Sequence, residues 1–249
     1  MPLTTKSGNP ITIGVGTGSA VKLVKREDPT NAEKQQVIID IVKNALDIGY
    51  NHIDSAEVYL TQPEVGKAIK GREREDLFIT TKYAISSTFI TKESFTPEEF
   101  AKQTFKELGT DYIDLFLIHF PADDYVQTWK DVIKLRDEGL VRYIGVSNFK
   151  PEEIEKLIEF EIPLVNQIEY YWGIDKPKVL DFHKKHNILI EAYSPLKPIK
   201  DPELIKLAED ANISPAQYLL KHLLDNGILP VTTSFQKEKL LDSFKVHNL

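Results

Sequence analysis

Four side chains of different chemistry stand at or just past the ends of three apolar runs. His52-Ile53-Asp54 leaves its run on a carboxylate, and Tyr59 follows through Ser55-Ala56-Glu57-Val58. Phe78-Ile79-Thr80-Thr81-Lys82 ends on an amine, and Leu115-Phe116-Leu117-Ile118-His119 ends on an imidazole. If these runs are parallel strands, their carboxyl ends bring Asp54, Tyr59, Lys82 and His119 together. A phenol is a poor acid at neutral pH, with an unperturbed pKa near 10. A nearby ammonium favours the phenolate, and a carboxylate beside the lysine keeps that lysine charged. Such a set suits the protonation of an oxyanion as a carbonyl is reduced, with the imidazole holding the carbonyl oxygen. Each residue also has a structural alternative. A lone strand-end histidine or a buried Asp–Lys pair is more often a structural hydrogen-bonding group, and only the conjunction of all four favours chemistry.

The elements that would position them alternate regularly. Thr4 to Ile13, with Ser7-Gly8-Asn9-Pro10 at its centre, reads as a hairpin, and Gly14–Gly16 as a first short strand entering a glycine-rich turn. Residues 20–34 read as an exposed excursion. Gln35 to Ile48 keeps helical apolar spacing and closes on Gly49. Thereafter strands are expected before Asp54 and over Leu77–Lys82, Ile113–His119, Arg142–Ser147, Leu164–Glu169, Ile188–Tyr193 and Leu229–Thr232. Helices are expected over Gln62–Lys70, Pro97–Leu108, Tyr125–Glu138, Pro151–Phe160, Pro177–His186, Pro202–Ala211 and Pro215–Asp225, with another starting at Lys237. Strict alternation requires parallel strands with right-handed crossovers. Eight such units in a chain of 249 residues fit a (β/α)8 TIM barrel with an N-terminal β-hairpin, expected to form one domain over residues 1–249. The competing open, doubly wound sheet would want a dinucleotide fingerprint after its first strand, and Gly14-Val15-Gly16-Thr17-Gly18 lacks a helix directly behind it.

Composition narrows the classes. A formal charge of −7 without a Lys/Arg block argues against a nucleic-acid surface, and the absence of cysteine removes disulfides, thiolate metal sites and cysteine nucleophiles. No stretch approaches the roughly 20 apolar residues of a membrane helix, and the N-terminus has no apolar signal core. A cytoplasmic protein without a metal site is expected. The oligomeric state, monomer or dimer, is not legible.

Asp54-Ser55-Ala56-Glu57-Val58-Tyr59, Lys82, Leu117-Ile118-His119, Gly145-Val146-Ser147-Asn148-Phe149, Asn166-Gln167-Ile168-Glu169-Tyr170 and Ala192-Tyr193-Ser194-Pro195-Leu196 occur in this order over nearly the whole chain. In this it resembles the aldo-keto reductase family. The resemblance implies a (β/α)8 barrel that binds NADPH in an extended form and reduces a small-molecule aldehyde or ketone. Carried over position by position, Tyr59 matches the proton donor, Lys82 and Asp54 its tuning pair, and His119 the residue orienting the carbonyl. Ser147, Asn148 and Gln167 match the groups holding the nicotinamide carboxamide, and Tyr193 the ring stacking on the nicotinamide. Ser194 and Leu196 match the pyrophosphate path, with Gly16 and Thr17 approaching from the first strand. For two of these, a helix cap (Ser147-Asn148) and a core aromatic (Tyr193) remain the structural alternatives.

Departures from the family pattern shape the remaining expectations. Many members carry Lys-Ser after the last strand, then an arginine, to grip the phosphate distinguishing NADPH from NADH. Here Thr233 falls on the lysine, Ser234 on the serine and Lys239 on the arginine, with Lys237 nearby. Lysine supplies a point charge without a planar fork, so NADPH is expected and NADH stays open. Val231-Thr232-Thr233-Ser234, with Thr61-Gln62-Pro63-Glu64-Val65-Gly66 after the tyrosine, resembles the fungal branch reducing α-keto amides and conjugated polyketones such as ketopantoyl lactone. The sequence ends at Leu249, where the family continues into a helix and a tail walling the pocket, so the expectation is either an open, permissive pocket or a truncated or abbreviated chain with some loss of stability. Trp129 reads as core, and Trp172 as either a site residue or a bystander. Two rival functions remain: a low-turnover nucleotide-sensing barrel that binds NADPH, and an aldolase or isomerase using Lys82 as a Schiff-base amine. Asp54 argues against the latter by keeping the amine charged.

Overall fold

The computed structural model describes residues 3–18, 31–85 and 95–249. Most of the expected excursion at 20–34 lies outside these residues. Eight strands close into a parallel barrel in chain order: β1 Gly14–Gly16, β2 His52–Asp54, β3 Phe78–Tyr83, β4 Ile113–Ile118, β5 Val141–Ser147, β6 Val165–Glu169, β7 Leu189–Tyr193 and β8 Leu229–Thr232. β8 returns to β1 through Val231 opposite Gly14 and Thr232 opposite Val15, which closes the ring. The expected (β/α)8 barrel is thereby shown, and the competing open sheet is excluded.

Local chemistry explains the alternation. The helix Ala32–Ile48 starts on Asn31, whose side chain accepts from the amides of Glu33 and Lys34. Pro97–Leu108 and Pro215–Asp225 each start with a capping box, Thr96 with Glu99 and Ser214 with Gln217. The first of these ends on Gly109 at φ 69°, a left-handed conformation glycine adopts without strain. Helical apolar faces pack on outward-facing strand residues: Ile38, Val42, Leu46 and Val65 join Val15, Ile53 and Ile79 in one core cluster. Gly145 is required by the sheet itself, since a Cβ there would stand 2.5 Å from the carbonyl oxygen of Val165.

The hairpin expected at the N-terminus is reduced to a single antiparallel bridge, Thr4 with Pro10, because proline has no N–H to extend the ladder. This segment closes the amino end of the barrel. Leu3 packs with Phe78, Leu115, Leu117 and Val165. Arg142 donates to the carbonyls of Thr4 and Thr5 and pairs at 2.6 Å with the fully buried Asp114, which Arg74 also holds at 2.7 Å. With that end plugged, the carboxyl ends of the strands form the open face. No helix among the described residues is long and apolar enough to cross a membrane.

Candidate active site

Side chains alternate across a strand, so His52 and Asp54, Thr80 and Lys82, and Glu191 and Tyr193 share inward faces. Asp54 ends β2, Lys82 lies in β3, and His119 follows β4 directly. The chain beyond Asp54 passes Ser55 and Ala56 into a single 3-10 turn, Glu57–Tyr59, which brings Tyr59 back over the barrel mouth. Lys82 Nζ donates to both Asp54 carboxylate oxygens, at 2.7 and 2.6 Å, and to the Ser55 carbonyl at 2.9 Å. The same ammonium lies 5.0 Å from the centre of the Tyr59 ring. The Tyr59 and His119 rings meet edge to face with centroids 5.6 Å apart. The four residues therefore converge.

Burial acts against the ammonium of Lys82, but Asp54, then Tyr59, outweigh it and hold its pKa above the ordinary value. Tyr59 differs from the expectation. Burial is the largest influence on the phenol and raises it; the Lys82 charge pulls the other way and does not prevail. The phenol is thus firmly protonated, a proton reservoir whose release depends on the lysine.

Around the four lies a cavity of about 460 Å³, lined by Gly16, Gly18, Asp54, Tyr59, His119, Phe120, Ser147, Asn148, Gln167, Tyr193, Ser194, Leu196 and Thr233 among others. Ser147 donates to the carbonyl of Gln167 at 2.9 Å, and the Asn148 amide donates to the His119 carbonyl at 3.0 Å. Tyr193 donates its hydroxyl to Asn148 Oδ1 at 2.9 Å, which aims its half-buried ring into the space. Asn148 and Ser194 both hold positive φ, 65° and 57°, at the turns leaving β5 and β7. Such backbone strain clusters at functional sites. Leu196, Thr232 and Thr233 also border a neighbouring cavity of about 210 Å³ that adds Ser214, Ser234 and Lys239. Asp242 borders it too, with both carboxylate oxygens engaged by Ser214 and Gln217.

Some expected residues stand elsewhere. Lys82 lies beneath the cavity floor, fully buried. Thr17 is turned away from the cavity: its hydroxyl donates to the Asp54 carbonyl at 3.0 Å and meets Thr61 at 2.8 Å, fastening the end of β2. Ser234 and Lys239 line only the smaller cavity. Trp129 is fully buried, whereas Trp172 does not line the cavity. Sequence reasoning passed over Gly18, Phe120 and Glu191. Glu191 had a signal: it lies two residues before Tyr193 in one strand and must share its inward face.

The fold and site together define a (β/α)8 barrel carrying a carboxylate, amine, phenol and imidazole at its open end. Residues 12–198 match the sequence profile of the aldo/keto reductase family. The chain is 34% identical to the NADPH-dependent alpha-keto amide reductase of Saccharomyces cerevisiae, over 96% of this chain and 83% of that one. It is 35% identical to methylglyoxal reductase DkgA of Yersinia pestis, over 82% of this chain and 76% of that one. Among solved structures, an aldo/keto reductase from Brucella melitensis superposes with a TM-score of 0.81 at 33% identity, covering 100% of this chain and 94% of that one. An aldo-keto reductase from Bombyx mori, in complex with NADP, gives 0.81 at 29% identity, covering 100% and 88%. The chain belongs to the aldo/keto reductase family and is an NAD(P)H-dependent oxidoreductase.

Proposed function

We propose that this protein reduces small α-keto and α-dicarbonyl compounds with NADPH, and that Tyr59 delivers the proton. The observation that carries the reading is the Lys82 ammonium, pinned by Asp54 directly under the Tyr59 ring at the floor of a cavity that His119 also lines.

The chain's own residues fit the cofactor. The buried Thr233 hydroxyl has no hydrogen-bond partner among the described residues and borders both cavities, where an elongated ligand crossing between them would meet it. Gly16 and Gly18 leave the wall of the larger cavity without side chains. Ser147, Asn148 and Gln167 would hold the nicotinamide carboxamide against the Tyr193 ring. Gly16, Ser194 and Leu196 would border the pyrophosphate path, and Thr233, Ser234 and Lys239 would take the far phosphate. When bound, NADPH supplies the hydride.

Tyr59 gives its proton to the oxygen of the substrate carbonyl as charge develops there, the usual work of a general acid. Lys82 stabilises the phenolate left behind, and Asp54 keeps that lysine charged and fixed. His119 offers its ring to the same oxygen and orients it. Phe120 stacks on the His119 ring with centroids 4.3 Å apart and holds it in place while presenting an apolar surface to the substrate. The same reading makes the chain one domain over residues 1–249, a cytoplasmic enzyme acting on small molecules.

Steady-state turnover with NADPH or NADH against methylglyoxal, an α-keto amide and a cyclic diketone tests the reading. Consumption of NADPH by at least one of these supports it. Tight NADPH binding with no turnover across the panel overturns it in favour of a sensing role.

A further inference from the structure

The roles above leave aside the carboxyl of Glu191, buried inside the barrel on β7. Its Oε2 accepts a hydrogen bond from Gln167 Nε2, and the same amide nitrogen donates to Asp54 Oδ2 at 2.8 Å. Asp54 in turn grips Lys82 with both oxygens. A continuous chain therefore runs from Glu191 through Gln167, Asp54 and Lys82 to the underside of Tyr59.

The charges along this chain do not balance if both acids ionise. Asp54 and Lys82 cancel one another. His52, on β2, places Nε2 3.4 Å from Glu191 Oε1, yet burial pushes its imidazole down to about 4 and leaves it neutral. Gln167 on β6 does not titrate, and β8, the other strand paired to β7, holds no titratable residue between Leu229 and Thr232. Glu191 thus faces His52 and Asp54 from β2 and Lys82 from β3, with no cation of its own. Burial, then the Asp54 charge, push its carboxyl up to about 8. Near neutrality it is an uncharged acid.

We infer that Glu191 is a positioning residue of the reduction: neutral, it holds the Gln167 amide against Asp54, and ionised, it slows proton delivery from Tyr59. The inference rests on the proposed role of Tyr59. A second anion in this low-dielectric interior competes with Asp54 for the Gln167 amide and for the Lys82 charge. It also opposes formation of the Tyr59 phenolate, so the phenol becomes a weaker acid.

The test compares wild type and Glu191→Gln as full-length protein loaded with NADPH, with kcat for a diketone measured from pH 6 to 9.5. A group titrating near 8 is ionised about ten to one at pH 9, so wild-type kcat should fall roughly tenfold between pH 6.5 and 9. Glutamine cannot ionise, and in the variant that fall shrinks to less than about twofold. The phenol of Tyr59 itself, raised by burial, titrates above this range. Denaturation midpoints, which need no substrate, give a second readout. The folded value of Glu191 lies above its ordinary 4.5, so stability from the neutral acid is full below 4.5 and lost as pH rises through about 8. The midpoint of Glu191→Gln relative to wild type therefore climbs over that window and levels off above it. If Tyr59→Phe keeps wild-type turnover, the functional reading fails while the midpoint comparison still reports whether Glu191 titrates high. Should the glutamine variant not fold, carboxyl-carbon NMR of glutamate-labelled wild-type holoenzyme decides. A carboxyl titrating near 8 in step with kcat supports the inference. Identical pH profiles for the two proteins, or no carboxyl titrating above the ordinary range, overturn it.

Discussion

Tyr59 and His119 approach each other edge to face, ring centres 5.6 Å apart, from the ends of the two strands that flank β3. The phenol arrives on the turn after β2 and the imidazole from the end of β4, so one carbonyl oxygen can be addressed by both. Replacing His119 with leucine should keep NADPH affinity within about twofold and lower kcat/KM for a ketone by about 10²–10³, the usual loss for one oxyanion donor. Cofactor titration by fluorescence, alongside steady-state kinetics, separates the two effects. Equal losses in both would mean that His119 serves the fold rather than the substrate.

Gly18 sets the position of the phenol. A Cβ at that residue would stand 2.7 Å from the Tyr59 ring and 3.0 Å from its hydroxyl. The atoms met are the far end of a side chain and not backbone, so Gly18→Ala should displace the proton donor and leave the fold intact. We expect kcat to fall by about 10²-fold, in line with a misplacement on the order of 1 Å. The melting temperature should stay within a few degrees. A melting temperature lowered as steeply as kcat would contradict this.

Among the described residues, Lys239 is the one cation lining the smaller cavity. Lys239→Ala should raise KM for NADPH by about tenfold, the loss of roughly one charge-assisted contact, and leave KM for NADH almost unaltered. Parallel changes for both cofactors would place the distinguishing phosphate elsewhere.

The buried imidazole of His52 couples stability to acid. Its folded value, down to about 4 through burial, lies below the ordinary 6.5. The stability it contributes is therefore present above 6.5 and lost as pH falls toward 4. His52→Asn should flatten that part of the stability curve, read by urea denaturation at intervals from pH 4 to 7. An unchanged slope would show that other groups carry it, with His183 and His247, both lowered by burial, the first to examine.

Much of the barrel was legible because each unit carries its own punctuation. Pro97, Pro151, Pro177, Pro202 and Pro215 each open a helix, and their preceding strands are short apolar runs. Asp54, Lys82 and His119 could be placed together because strand ends in a parallel barrel must converge. Features that depend on closure were not legible. Glu191 and His52 belong to strands far apart in sequence, and their approach exists only once β8 meets β1. The net direction for Tyr59 was missed for a related reason: the lysine is visible in sequence, but the burial that outweighs it comes from the assembled mouth. Thr17 looked like a wall of the cofactor path, yet its hydroxyl found Asp54 and Thr61 beneath the surface.

Single-turnover oxidation of bound NADPH reads out proton delivery by Tyr59 apart from binding and product release. Wild type and Tyr59→Phe would be mixed with a cyclic diketone and followed by absorbance, with folding and NADPH affinity checked for both. Wild type should oxidise NADPH rapidly and the phenylalanine variant at a rate at least about 10²-fold lower, the typical share of a general acid. Comparable rates with equal NADPH binding would contradict it.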